Sequence, residues 1–301
     1  MKDGEIINEI KRLKKEKNAI ILVHNYQNKK IYKVADIIGD SFELSKAAAA
    51  TSSKMIVFCG VDFMAETAKL LNPEKKVLLP ESSASCPMAK MICSEEIKEL
   101  RKQHPKAAVV SYVNTNAETK AESDACCTSA NAAKVVNSLP NAEIIFVPDK
   151  NLADFVKPKT EKKIIAWPGF CCVHDRISLE QVQEIKNKRK NAVVLAHPEC
   201  RKEIQEIADF VCSTSQMISK AKESEEKEFI IVTEKNMVSR LMKEVPEKRF
   251  YGINAVCRQM KKTTLQSVLD ALKHEKNEVK IPKRLFQQAR NALEKMLEVG
   301  V

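Results

Sequence analysis

One sequence feature limits the folds open to this chain: four kinds of landmark recur three times with nearly the same spacing. Apolar, strand-like runs end at His24, Tyr112 and His197, which are 88 and 85 residues apart. Hydroxyl residues that open helical stretches stand at Ser41, Ser129 and Thr214, again 88 and 85 apart. A second set of apolar runs centres on Val57, Phe146 and Ile231, with separations of 89 and 85. Short loops after further apolar runs carry Cys86, Cys171 and Cys257, separated by 85 and 86. Four registers in common argue for three copies of one unit. Each unit is too long for a solenoid repeat and long enough for a small α/β domain.

Within a unit the order reads β-α-β-α-β. The first opens with a charged helix over 6–17, then strand AIILV ending at His24, and a helical stretch holding Val34, Ile37 and Ile38. GDSFELSKAAAA, strand MIVFCG, helix DFMAETAKLL and strand KVLLP follow. The second unit repeats this with AAVVSYV, a helix start at CCTSANAAKVV, EIIFVP, NLADFV and KIIAW. The third uses NAVVLA, VCSTSQMISKA, EFIIVTE, NMVSRLMKEV and RFYGI. Strands alternating with helices predict parallel sheets covered on both faces. The expected units are 1–86, 87–171 and 172–257. The remaining stretch, 258–301, is helical, and its first helix fills the slot that precedes the opening strand of each unit. The repeat therefore predicts that it packs back on the first unit and closes a three-lobed body.

Composition decides which function classes remain. The formal net charge is +11, from 51 Lys+Arg against 40 Asp+Glu, which favours anionic ligands. These charges are interspersed as solvated helix faces, and 5% aromatic content leaves little for stacking bases, so nucleic acid is not an expected partner. No run of 18 or more apolar residues predicts a membrane helix, and the N-terminal stretch lacks a signal peptide's apolar core. A cytoplasmic location is expected. Ten cysteines in a reducing compartment point to metal ligation or catalysis for some of them rather than a disulfide framework.

Ligands of open parallel α/β sheets bind beyond the carboxyl ends of the strands. His24, Tyr26, Ser41, Cys86, Tyr112, Asn114, Ser129, Cys171, His197, Glu199, Thr214 and Cys257 all fall there. If pseudo-threefold symmetry turns those ends inward, they line one central cavity. Three thiolates favour zinc or iron–sulfur over hard cations. The short local spacings of structural zinc are absent, and three distant loops suit a [4Fe–4S] cluster with one iron left open. Three buried structural thiols are the alternative. Glu199, two residues beyond His197, is a candidate general base if partial burial raises its pKa. Ser41, Ser129 and Thr214 read as helix N-caps and also as anion seats. The remaining cysteines, Cys59, Cys93, Cys126, Cys127, Cys172, Cys200 and Cys212, read as core or incidental thiols without partners in the repeat.

HNYQ, GDSFELSK, CGVDFMAETAKLL, CPMAKM, SYVNTNAETKAESDACCTSANA, VPDKNLA, CCVHDR, AHPEC, STSQMI and CRQMKKTTL together resemble the quinolinate synthase family from about residue 20 to 270. The resemblance implies three homologous α/β/α lobes around a central active site and an oxygen-sensitive [4Fe–4S] cluster. It implies condensation of iminosuccinate with dihydroxyacetone phosphate to quinolinate for NAD biosynthesis, with loss of phosphate and two waters. It places the cluster on Cys86, Cys171 and Cys257, choosing Cys171 over Cys172. Contacts to iminosuccinate and product fall on His24, Ser41, Tyr112, Asn114, Ser129, His197, Glu199 and Thr214. Glu199, Tyr26 and His174 look like the proton-transfer set. The enzyme that supplies iminosuccinate is a candidate for transient contact. Some relatives carry C-x-x-C-x-x-C at the last ligand; here Arg258, Gln259 and Met260 follow Cys257, which puts any thiol-based redox switching there in doubt. Another iron–sulfur hydro-lyase and a simple electron carrier are the rival readings.

Overall fold

The computed structural model describes residues 2–300. Its first unit runs α1 (Asp3–Glu16), β1 (Ala19–His24), β2 (Ile37–Gly39), α2 (Ser41–Ala50), β3 (Met55–Cys59), α3 (Asp62–Leu71) and β4 (Lys76–Leu78). The second runs α4 (Ser94–Gln103), β5 (Ala108–Tyr112), α5 (Ala117–Ala121), β6 (Ala125–Cys127), α6 (Ala132–Ser138), β7 (Glu143–Val147), α7 (Lys150–Val156) and β8 (Lys163–Ala166). The third runs α8 (Leu179–Lys188), β9 (Val193–Ala196), α9 (Lys202–Ile207), β10 (Phe210–Val211), α10 (Thr214–Glu223), β11 (Glu228–Val232), α11 (Asn236–Glu244) and β12 (Arg249–Gly252). Helices α12 (Leu265–His274) and α13 (Lys283–Val299) complete the chain.

The three sheets have one topology: β2-β1-β3-β4, β6-β5-β7-β8 and β10-β9-β11-β12, with every pair parallel. These are three α/β/α lobes of the same construction. The apolar runs predict three strands per unit; the fourth is a short edge strand, β2, β6 or β10. Two or three residues are too few to show a periodicity. Ile37 and Ile38 thus belong to a strand rather than a helix, and Cys126 and Cys127 to β6. Cys127 and Cys212 also prove to be mates in the repeat, 85 residues apart, where the first unit has Gly39. Cys127 pairs with Tyr112, and the Cys212 amide donates to the Ala196 carbonyl at 2.9 Å. Both thiols are buried, and burial pushes their pKa values up.

Both faces of each sheet are covered, so alternate residues of a strand enter different cores. Ile21, Val23 and Val57 face an outer core built with α1 and α12, while Leu22 and Ile56 face inward. Val109 and Ile145, and likewise Val194 and Ile230, line the outer cores of the other two lobes. The inward sets, including Leu22, Phe146 and Phe229, merge into one central core shared by all three lobes. That shared core brings the carboxyl ends of three sheets to one place.

The expectation that all of 258–301 packs on the first unit needs correcting. Helix α12 does so, lying against α1 and β3. Helix α13 lies mainly on α5 and β6 of the second lobe and also touches α3. Its apolar stripe, Leu285, Ala289, Leu293 and Met296, continues the central core, and Asn131 ties its end by donating to the Met296 and Gly300 carbonyls. The short α5 and α6 leave that flank of the second lobe thinly covered, and α13 fills it. Leu293 is fully buried, so Leu293→Ala is expected to destabilise the protein by about 2–5 kcal/mol in urea unfolding.

Candidate active site

All thirteen residues singled out above line one cavity between the lobes. The first lobe contributes His24, Tyr26, Ser41 and Cys86; the second Tyr112, Asn114, Ser129 and Cys171; the third His197, Glu199, Thr214 and Cys257, with His174 from the turn that enters it. Asp40 and Glu234 add polar groups that the repeat did not single out.

The two strand-end histidines are held in the same way. The Tyr26 amide donates to His24 Nδ1 at 3.1 Å, and the Glu199 amide donates to His197 Nδ1 at 3.3 Å. An Nδ1 that accepts carries no proton, so the neutral ring keeps its proton on Nε2. Burial dominates both pKa values and pushes each down to about 3. Both are therefore neutral donors. An unfolded histidine titrates near 6.5, so stability is fully present above that pH and is lost as pH falls towards 3. Between about pH 6.5 and 5.5 the metal-free protein should lose roughly 2 kcal/mol, with each histidine contributing half of it. Urea unfolding at the two pH values measures this, and His197→Asn should remove about half of the slope.

Glu199 is 4% exposed and sits in a ring of donors. Tyr112 Oη donates to its Oε1 at 2.6 Å, Asn114 Nδ2 to the same oxygen at 3.2 Å, and His174 Nδ1 lies 2.7 Å from Oε2. Burial by itself raises this carboxyl. Electrostatic attraction to His174 and His197 and the hydrogen bonds from His174 and Tyr112 outweigh it and hold Glu199 below the usual carboxylate range. The expectation of a raised pKa is thereby corrected: the site is buried but not apolar, and its donors stabilise the anion.

From Glu199 a hydrogen-bonded chain crosses the cavity wall. His174 Nε2 stands 2.7 Å from Thr233 Oγ1, which stands 2.6 Å from Tyr26 Oη. With His174 donating from Nδ1 to Glu199, Nε2 accepts from Thr233, and Thr233 accepts from Tyr26. His174 also stacks on His197, with ring centroids 4.8 Å apart. Thr233 was not legible in the sequence: Val61 and Pro148 precede the corresponding acids of the other lobes, so no repeat flags it.

The three hydroxyls are not the caps they were read as. Asp40 caps α2, accepting from the Phe42 and Glu43 amides, and Ser213 caps α10, accepting from Gln216. Ser41 and Thr214 are the first helical residues, so their hydroxyls are free of capping duty. Ser129 lies in the turn before α6, whose cap position is Asn131. Asn25 Nδ2 donates to Thr214 Oγ1 at 2.9 Å, which leaves that hydroxyl's own proton for a ligand.

Cys86, Cys171 and Cys257 are half-buried in the cavity wall. Burial pushes each thiol's pKa up, and in each case two backbone N–H groups, from the second and third residues onward, oppose it at the sulfur. For Cys86 these are Met88 and Ala89, for Cys171 Val173 and His174, and for Cys257 Gln259 and Met260. Such paired donors suit a thiolate and are a feature of the three loops alike. Cys172 also reaches the wall, so the preference for Cys171 rests on the cradle it shares with its two mates.

A family model described as "Quinolinate synthetase A protein" matches residues 8–298. The chain belongs to the quinolinate synthase family. It is 51% identical over 296 residues to the quinolinate synthase of Caldicellulosiruptor bescii, covering 97% of this chain and 98% of that protein. It is 50% identical to quinolinate synthase 2 of Methanosarcina acetivorans over 302 residues, with 100% and 97% covered. The quinolinate synthase of Methanoregula boonei is 52% identical over 291 residues, with 96% of each chain covered. Among the described residues no helix is long and apolar enough to cross a membrane.

Proposed function

We propose that this chain is an enzyme that forms quinolinate for NAD biosynthesis, joining iminosuccinate to dihydroxyacetone phosphate with loss of phosphate and two waters. The observation that carries the reading is the continuous chain Glu199–His174–Thr233–Tyr26 beside three converging thiols. Full-length similarity to three proteins named quinolinate synthase supports it. The unit boundaries after Cys86 and Cys171 remain our reading of the repeat; each sheet lies within one unit.

The protein's own groups suit a dicarboxylate. His24 and His197 offer Nε2–H donors, Ser41, Ser129 and Thr214 offer hydroxyls, and Tyr112 and Asn114 offer neutral donors. None needs to change charge to bind an anion. A dicarboxylate beside Glu199 adds negative charge, which moves that carboxyl up towards the range of a general base. Protons then move in the direction in which the chain donates: Tyr26 takes one from the ligand as its own passes through Thr233 and His174 to Glu199, which returns it to a departing hydroxyl, the sort of transfer that isomerisation and two dehydrations need. Burial of the cavity walls keeps water from the readily hydrolysed imine.

The cysteines fit a [4Fe–4S] cluster: three soft donors, one from each lobe, each with two backbone N–H groups at its sulfur. Cys86, Cys171 and Cys257 would hold it. When bound, such a cluster supplies a Lewis acid at the iron without a protein thiolate. A second reading places a single ion on Cys171, His174 and Glu199, whose donor atoms lie within 4.8 Å of one another. Iron and sulfide counts after anaerobic purification separate the two. Quinolinate appearing from iminosuccinate and dihydroxyacetone phosphate tests the activity; no product from iron-loaded protein would sink it. Iminosuccinate's supplier is the one protein partner we would look for.

A further inference from the structure

Three carboxylates outside the donor set keep the same beat as the thiols: Asp62, Asp149 and Glu234, at separations of 87 and 85. Each sits at the start of a helix, α3, α7 or α11, and accepts a backbone N–H there. The partners are Phe63 at 2.9 Å, Leu152 at 2.8 Å and Asn236 at 2.8 Å. Each also accepts the amide of one cavity cysteine: Cys86 at 3.2 Å, Cys171 at 3.2 Å and Cys257 at 3.3 Å. A second bond repeats beside the first. The carbonyl two residues before each cysteine accepts an amide from the same helix start: Ala84 from Asp62 at 2.9 Å, Gly169 from Lys150 at 2.8 Å and Ala255 from Lys235 at 2.8 Å. Gly169 is needed for that approach, because a Cβ there would stand 2.5 Å from the Pro148 carbonyl oxygen.

The thiol loops are thus clamped at two points to the helix starts that follow β3, β7 and β11. Turning the cysteine amide away to a carboxylate fixes the peptide plane before the cysteine. Asp149 and Glu234 are fully buried. Glu234 meets Lys261 Nζ at 2.8 Å, and that lysine also donates to the Tyr26 carbonyl, so the third clamp reaches the proton-transfer chain.

We propose that Asp62, Asp149 and Glu234 are positioning residues for the metal-binding thiols, setting how long a bound iron–sulfur cluster is retained. The inference rests on the reading of Cys86, Cys171 and Cys257 as cluster ligands. Its test is cluster release, not turnover. Anaerobically reconstituted full-length protein is mixed with an iron chelator, and the decay of the cluster's charge-transfer absorbance is followed for the parent, Asp62→Ala, Asp62→Asn, Asp149→Ala and Glu234→Ala. Outer-shell partners of metal ligands typically contribute about 10–100-fold in affinity. Each alanine variant should therefore release iron at least about tenfold faster. Asp62 accepts both the Phe63 and the Cys86 amide on Oδ1, so Asp62→Asn keeps that oxygen and should stay within about threefold of the parent. A purely structural role would not be rescued in this pattern.

Alanine variants that retain the cluster as long as the parent overturn the inference, as does an Asp62→Asn protein that releases it as fast as Asp62→Ala. Circular dichroism of the metal-free chains checks folding. If Asp149→Ala does not fold, Asp62→Ala decides, since Asp62 is only half-buried. A parent that takes up no iron overturns the ligand reading itself. A parent that does, with Cys171→Ala failing and the carboxylate variants unaffected, overturns this inference alone.

Discussion

Replacing Cys171 with alanine is expected to abolish both cluster binding and quinolinate formation, whereas Cys172→Ala should leave both intact. The two thiols are adjacent, and both reach the cavity. Only Cys171 stands in register with Cys86 and Cys257, its sulfur facing the Val173 and His174 amides and its own amide held by Asp149 at 3.2 Å. Losing one of three thiolates removes an entire iron corner. Iron should fall from about four per chain to well under one after anaerobic reconstitution. Iron analysis and the visible spectrum measure this. A cluster-free Cys172→Ala protein, or a fully loaded Cys171→Ala protein, would reverse the assignment.

Glu199→Gln separates chemistry from assembly. The substitution preserves the side chain's length and one accepting oxygen, and none of the three cradle pairs involves Glu199. Iron content should match the parent. Turnover should fall by about 10²–10⁴-fold, the usual contribution of a positioned acid or base. The amide also presents an N–H₂ group to a shell made of donors from Tyr112, Asn114 and His174. One of those contacts must break, and the Tyr26–Thr233–His174 chain loses its terminal proton acceptor. The kcat for quinolinate formation, measured beside an iron count, reads both effects. Activity equal to the parent would exclude Glu199 from proton transfer.

Thiols and proton-transfer groups form different layers of the same site, and the layers differ in how far the sequence shows them. The thiols were legible because each follows a strand-like run at a fixed interval. His24, Tyr112 and His197 were legible for the same reason. Thr233 was not, since the other lobes put valine and proline at its position. The clamp carboxylates do keep the beat, yet Asp and Glu are so common in this charged chain that spacings of 87 and 85 do not set these three apart from the rest. The edge strands β2, β6 and β10 were missed through brevity. Helix α13 was misplaced because its apolar stripe shows that it packs, but not against what.

By itself, the amino-acid sequence determined the triplication, the α/β class of each unit and the list of strand-end residues. These depend on local periodicity and on intervals along the chain, and both survive without coordinates. Tertiary structure decided what depends on distances between lobes. The shared core brings three strand ends to one cavity, and there donors from two lobes surround Glu199 and reverse the direction of its expected pKa shift. It decided that Asp40 and Ser213, not Ser41 and Thr214, cap their helices, which frees the latter pair for a ligand. It also showed that each thiol is clamped by a carboxylate more than twenty residues earlier in the chain. A hydrogen bond is set by a gap of about 3 Å and an angle, and neither is written in sequence spacing.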